Sequence, residues 1–243
     1  MAKLALIAVG GNSLIRAGEK GSITDQLGNA RRTANAIVGM VQAGFRVVVT
    51  HGNGPQVGAA LLRSERASDQ VYVQPLDVCD AATQGEIGYL LALSLHNELA
   101  AAGIKLPVAT VLSQVVVSPD DPAFGKPEKP IGPFYSKSDA EERQARLGWQ
   151  IVEDAARGYR RVVASPEPLA IVEEDVIRRL LDQGVLVIAV GGGGIPVVDR
   201  GGVLSGIEAV IDKDRASALL ATRLGVDLLV ISTDAPFVYL DYK

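Results

Sequence analysis

Long apolar stretches without polar alternation constrain this chain more than any other feature. LALIAVG (Leu4 to Gly10), FRVVVT (Phe45 to Thr50), VLVIAVGG (Val185 to Gly192) and DLLVIST (Asp227 to Thr233) each read as a strand, and LPVATVLSQVVV (Leu106 to Val117) reads as further strand material. A strand with one face in water alternates apolar and polar residues. A run without that alternation needs cover on both faces, the condition of a strand inside a parallel sheet. Helical patterns fall between the strands, over residues 29–44, 83–102, 173–183 and 214–224. Strand and helix in alternation predict an α/β protein with a mainly parallel sheet covered on both sides.

The length of 243 residues suits one large α/β domain or two small ones. Hydrophobic residues make up 48% and charged residues 21%, which excludes a disordered chain. A formal net charge of -4 gives no sign of a nucleic-acid surface. Cys79 is the only cysteine, so no intrachain disulfide can form and a reducing compartment is expected. MAKLALIAVGG runs directly into a strand, its apolar run is too short and too early for a secretory signal, and no segment has spanning length. The expected location is the cytoplasm, with no membrane or nucleic-acid partner.

Three of the strands end in glycine: AVGGNSL (Ala8 to Leu14), THGNGPQVG (Thr50 to Gly58) and AVGGGGIP (Ala189 to Pro196). Glycine lets backbone N–H groups approach an anion closely, and a following helix adds the field of its N-terminus. Three such junctions at one end of parallel strands predict a shared site in which Gly10, Gly11, Asn12, Gly52, Asn53 and Gly54 face a ligand. Neither the Walker A pattern nor the dinucleotide fingerprint is present. Pro55 stands where a dinucleotide turn would need a clean helix start, so an NAD protein is not expected. His51 reads as a residue that orients its loop, and general-base chemistry is the alternative. With only His51, His96 and Cys79, a zinc site lacks ligands, and His96 reads as structural.

Two segments carry charge that suits phosphate. AVIDKDRASALLA (Ala209 to Ala221) sets Lys213 between Asp212 and Asp214 at the start of a helix. An aspartate there is an ordinary cap, but a lysine opposes the helix dipole, and a bound anion would offset that. SPDDPAFGKPEKPIGPFY (Ser118 to Tyr135) holds five prolines with Lys126 and Lys129, and cannot be a core helix. With the residues that follow, it predicts an inserted flap or small subdomain able to deliver a lysine at little ordering cost. Glycine cradle, two lysines and an aspartate make a workable set for phosphoryl transfer, which needs no Ser-His-Asp triad.

AVGGNSL, VVVTHGNGPQVG, KPIGPFY, GYRRVVASPEP, VIAVGGGGIPV and GIEAVIDKDRASALLA together resemble the carbamate kinase branch of the amino acid kinase family, from residue 3 to the last residues. The resemblance implies a three-layer αβα sandwich with an open, mainly parallel sheet and a protruding lid over residues 119–168. It implies ATP and carbamate as substrates, carbamoyl phosphate and ADP as products, Mg²⁺ bound with ATP, a homodimer and a place in arginine metabolism. Gly10, Gly11 and Asn12 would then bind the transferring phosphoryl group, and Gly52, Asn53 and Gly54 the carbamate. Lys129, Lys213 and Asp214 would be catalytic, with Lys213, Thr233, Asp234 and Tyr239 at the nucleotide. Other branches place a lysine two residues before the first glycine pair, where this chain has Ala8. The resemblance also implies a family part beyond Lys243 that would supply a further lysine and part of the adenine pocket. A kinase for another small acid or phosphonate and a non-catalytic nucleotide-binding or regulatory module are the alternative readings.

Overall fold

The structure is a computed structural model and describes residues 2–16, 19–154 and 158–232, with only the backbone of Asn12 and Asp154. Its centre is a five-stranded sheet of β1 (Leu4–Val9), β2 (Arg46–His51), β3 (Val108–Thr110), β9 (Leu186–Ile188) and β12 (Leu228–Ser232). The spatial order is β12-β1-β2-β9-β3, and every neighbouring pair is parallel.

The alternation missing from the strand sequences reappears as a choice between two apolar faces. Leu4, Leu6 and Ala8 of β1, with Val48 and Val187, pack on Ile177 and Leu181 of α6 (Glu174–Asp182) and Leu220 of α7 (Lys213–Leu224). Ile7, Val9, Val47, Val49 and Ile188 point the other way, onto Ala34 and Ile37 of α1 (Ile23–Gln42) and Ile87 and Leu91 of α3 (Leu76–Ala101). Successive side chains on a strand alternate faces, so apolar residues at every position are what a sheet between two helical layers requires. Among the described residues no helix is long and apolar enough to cross a membrane.

Several element boundaries differ from the sequence expectation. α1 begins six residues earlier than residue 29, because Ser22 and Asp25 form a reciprocal capping box. α3 begins at Leu76, well before Thr83. The stretch after Asn53 is a helix, α2 (Gly54–Arg66), with Pro55 in its first turn, where a missing N–H breaks no intrahelical bond. Pro55 therefore starts a helix there and does not block one. His96 lies on the solvent face of α3 and is not part of the core.

The apolar run over residues 106–117 divides into β3 and β4 (Gln114–Val116), which lie in different sheets. At the break, Gln84 of α3 donates to the Ser113 carbonyl at 3.1 Å and accepts from the Ser113 N–H at 2.9 Å. β4 joins β10 (Ile195–Asp199), β11 (Leu204–Gly206) and β8 (Ala170–Ile171) in a mixed sheet of order β11-β10-β4-β8.

The proline-rich segment enters a third sheet. After the single turn α4 (Pro122–Gly125), β5 (Lys129–Tyr135), β7 (Gly158–Val163) and β6 (Gln150–Asp154) pair antiparallel in the order β5-β7-β6, with α5 (Lys137–Leu147) packed beside them. β5 is an edge strand, the position that tolerates Pro130 and Pro133 without loss of ladder bonds.

Candidate active site

β1, β2 and β9 are neighbours and parallel, so their C-terminal ends lie at one edge of the sheet. Each continues into glycine: Gly10–Gly11, Gly52 and Gly191–Gly194. Open α/β sheets bind ligands at this edge. The loops pack backbone against backbone. A Cβ on Gly52 would lie 3.0 Å from the Gly11 nitrogen and 3.1 Å from Cδ of Lys213, and one on Gly192 would overlap the Asn53 amide. A Cβ on Gly10 would fall 2.9 Å from the carbonyl of Ser232, at the end of β12.

α7 starts against this cradle. Asp212 caps it, one carboxylate oxygen accepting from the N–H groups of Asp214 at 2.9 Å and Arg215 at 3.3 Å. Its other oxygen accepts from Lys129 Nζ at 2.9 Å, so the lysine of β5 is held beside the helix N-terminus. Burial would push the Asp212 carboxyl up, but the Lys129 ammonium and the two backbone donors outweigh it and hold the group below its usual range. Lys213 Nζ pairs with Asp214 Oδ1 at 2.6 Å. The first turn is tied to the sheet by Ser217, which donates to the Lys213 carbonyl at 2.6 Å and whose Oγ also lies 2.6 Å from Oγ1 of Thr50 at the end of β2.

Below the loops lie three buried titratable groups. His51 is 1% exposed, with Nδ1 3.1 Å from the Gly52 carbonyl, and burial lowers its pKa to about 4 against that bond. A neutral imidazole packed against Gly191 supports the loop and offers no charge to a ligand. Asp80 of α3 is 1% exposed and raised well above the usual carboxylate range, chiefly by burial, with the Asn53 hydrogen bond opposing. Cys79, beside it, is buried and raised to about 11, first by burial and then by neighbouring carboxylates, so its thiol is unreactive.

Of the residues expected at the site, Gly10, Gly11, Gly52, Asn53, Gly54, Lys213, Asp214 and Lys129 come together here. The Asn12 side chain, Thr233, Asp234 and Tyr239 lie outside the described residues. Three participants escaped the sequence reading. The sequence offers Asp212 and Asp214 alike as a helix cap, and it is Asp212 that anchors Lys129. The helix start expected at Thr83 leaves Asp80 outside the helix and Thr83 at its very start, although the two carboxylates of DVCDAATQ, Asp77 and Asp80, are a signal.

The arrangement can gather anionic oxygens between glycine N–H groups and two lysines. A cavity of ≈ 580 Å³ beside it is bordered by Lys129, Asp212, Arg215 and Lys126. A larger cavity, ≈ 700 Å³, lies elsewhere, between the end of α2 and the third sheet. Volume does not decide between them, because convergent donors and the sheet edge belong to the glycine cradle. Among the described residues no group of three or more His, Cys, Asp or Glu could hold a metal ion. The donors at the edge suit phosphate oxygens.

Residues 3–243 match the model of the amino acid kinase family. A carbamate kinase from Thermococcus kodakarensis is 48% identical over 244 residues, covering 99% of this chain and 77% of that protein. The solved structure of carbamate kinase from Giardia lamblia bound to citric acid superposes with a TM-score of 0.93 at 43% identity, over 100% of this chain and 78% of the other. The same enzyme bound to AMP-PNP gives 0.88 at 44% identity, over 96% and 74%. With an all-parallel sheet between two helical layers and a glycine-lined edge, these matches place the chain: it belongs to the amino acid kinase family.

Proposed function

We propose that this chain moves the γ-phosphoryl group of ATP to carbamate, giving carbamoyl phosphate and ADP, and also runs the reverse reaction. The observation that carries the reading is the meeting of Gly11, Gly52 and Lys213 at one sheet edge, with Lys129 anchored beside them through Asp212. The carbamate kinases among its relatives, one of them holding AMP-PNP, support it.

Carbamate already carries an anionic oxygen, so its attack on phosphorus needs no general base. The new P–O bond forms as the bond from the γ-phosphorus to the ADP oxygen breaks, and catalysis rests on position and charge. In this reading Gly10, Gly11 and Asn12 cradle the moving phosphoryl group. Gly52, Asn53 and Gly54, at the start of α2, hold the carbamate. Lys213 neutralises nucleotide phosphate, and Lys129 meets charge developing between donor and acceptor. Asp214 and Asp212 keep the two ammonium groups apart and oriented. Mg²⁺ arriving on ATP would share the phosphate charge. Residues 119–168 act as a lid that excludes water, which would otherwise compete for the phosphoryl group. Thr233, Asp234 and Tyr239 are assigned to the nucleotide. A cytoplasmic homodimer serving arginine breakdown completes the reading.

The test is ADP release with carbamate supplied by ammonium bicarbonate, against a panel of other small acids, for the wild type and Lys213→Ala. Carbamate should be the preferred acceptor, and the variant should lose on the order of 10²–10³ in kcat, the usual consequence of removing one preorganised electrostatic donor. Turnover of a different acid, or nucleotide binding with no turnover of any acceptor, would overturn the proposal. A variant with normal kcat and only weaker ATP binding would reduce Lys213 to a ground-state clamp.

A further inference from the structure

Asn53 sits in the middle of the glycine loop after β2 and is 2% exposed. Its amide nitrogen spends both hydrogens on α3, donating to Asp80 Oδ1 and to Thr83 Oγ1, each at 2.9 Å. Thr83 has already committed its own hydrogen to the Asp80 carbonyl at 2.8 Å, so toward Asn53 the hydroxyl can only accept. Turning the amide over would set its oxygen against a carboxylate oxygen and a hydroxyl lone pair. The network therefore decides which end of the amide is nitrogen. Asn53 Oδ1 is the remaining end, and it accepts from no side chain or backbone group among the described residues.

That leftover atom has the opposite character from the rest of the cradle. Glycine N–H groups and the lysines donate, and the carboxylates of Asp212 and Asp214 are occupied by Lys129 and Lys213. Carbamate and acetate share a carboxylate, which such donors bind alike. They differ in an amino group, which donates, against a methyl group, which cannot. We propose that Asp80 and Thr83 are positioning residues that present Asn53 Oδ1 to the amino group of carbamate, so that the site prefers carbamoyl to acetyl compounds. The inference rests on the carbamate reading above and adds to it the atom that recognises nitrogen. Asp80 Oδ2 is buried without a partner, so the carboxyl meets the network through Oδ1 alone. Asp80→Asn can keep the same arrangement, with its oxygen toward Asn53.

The experiment is calorimetric binding of carbamoyl phosphate and of acetyl phosphate to the full chain. The two ligands differ only by an amino group against a methyl group. The wild type should favour carbamoyl phosphate about tenfold or more, because the methyl leaves Oδ1 desolvated and unpaired. Thr83→Ser and Asp80→Asn should keep that preference. Thr83→Val should bring the two affinities toward parity while acetyl phosphate binds as before, a change that mere loosening of the loop would not produce. Equal affinities in the wild type, or variants that weaken both ligands alike, overturn the assignment. The wild-type comparison needs no variant to fold. If the wild type binds neither ligand, the carbamate reading itself fails, which is a different result from binding without preference.

Discussion

Two aspartates flank Lys213, and at the scale of single residues the difference between them is their place on the helix. Asp212 is the cap residue and turns one oxygen to the backbone and the other to Lys129. Asp214 is already in the first turn and meets only Lys213 among the described side chains. Asp212→Asn separates the two duties. Asparagine caps a helix as well as aspartate does, so melting should stay within about 0.5 kcal/mol of the wild type, the range of an exposed substitution. The oxygen facing Lys129 becomes an uncharged group, and loss of a charge-assisted hydrogen bond at a reacting centre should lower kcat on the order of tenfold. Full turnover with a weakened helix would make Asp212 a cap and nothing more. IDKD is nearly symmetric about its lysine, so the residues alone do not choose between the two aspartates, and only the family resemblance points to Asp214 as the organiser. Which carboxylate reaches Lys129 depends on a contact between residues 83 positions apart, which no local pattern encodes.

At the scale of elements, what was legible depended on whether the cause was local. β1, β2 and β9 could be read because burial on both faces writes itself into nearly every residue of a strand, whereas β12 has the same apolar composition at an exposed edge of the sheet. α6 and α7 could be read from periodicity and caps. α2 was missed because GNGPQVG looks like a loop until Pro55 is recognised as a first-turn residue, and the division of β3 from β4 depends on Gln84, nearly thirty residues away. The contact of α2 with β5 belongs to the same non-local class. A Cβ on Gly58 would overlap the backbone of Gly132, which itself has φ +73. Gly58→Ala should therefore displace β5 and with it Lys129, lowering turnover although alanine favours the helix. Gly39 of α1 has nothing within 4 Å of its missing Cβ, so Gly39→Ala should leave turnover alone and stabilise by up to about 1 kcal/mol. Paired melting and kinetics of the two variants decide the point. If both behave as simple helix stabilisers, the close approach of α2 and β5 does not govern the position of Lys129.

At the scale of the whole molecule, two bodies of unequal cover meet through one small hydrophobic cluster and several polar ties. The parallel sheet lies between two helical layers, whereas β5, β7 and β6 have α5 as their own helix. Among the described residues the small sheet and its helix meet the core through Lys129 on Asp212, Gly132 on Gly58, Arg143 with Arg146 of α5 on Glu65 of α2, Arg161 on Glu208, and a hydrophobic cluster in which Ile131 and Val163 pack with Val57, Leu76 and Val210. Amide exchange follows local opening, and a thinly covered unit opens at lower free energy than a core covered on both sides. Lys129→Ala removes one of the polar ties without touching the hydrophobic core. It should speed exchange in residues 129–135 and 158–163, leave β1, β2 and β9 as slow as in the wild type, and shift global melting by no more than about 0.5 kcal/mol, since the pair is only half buried and ordinary partly exposed ion pairs contribute little. Turnover should fall at the same time, because the ammonium is lost from the transferring phosphoryl group. Exchange that rises equally in both bodies would mean that the chain opens as one unit, and a lid moving on its own would then be excluded. Unchanged exchange with normal turnover would remove Lys129 from the mechanism altogether.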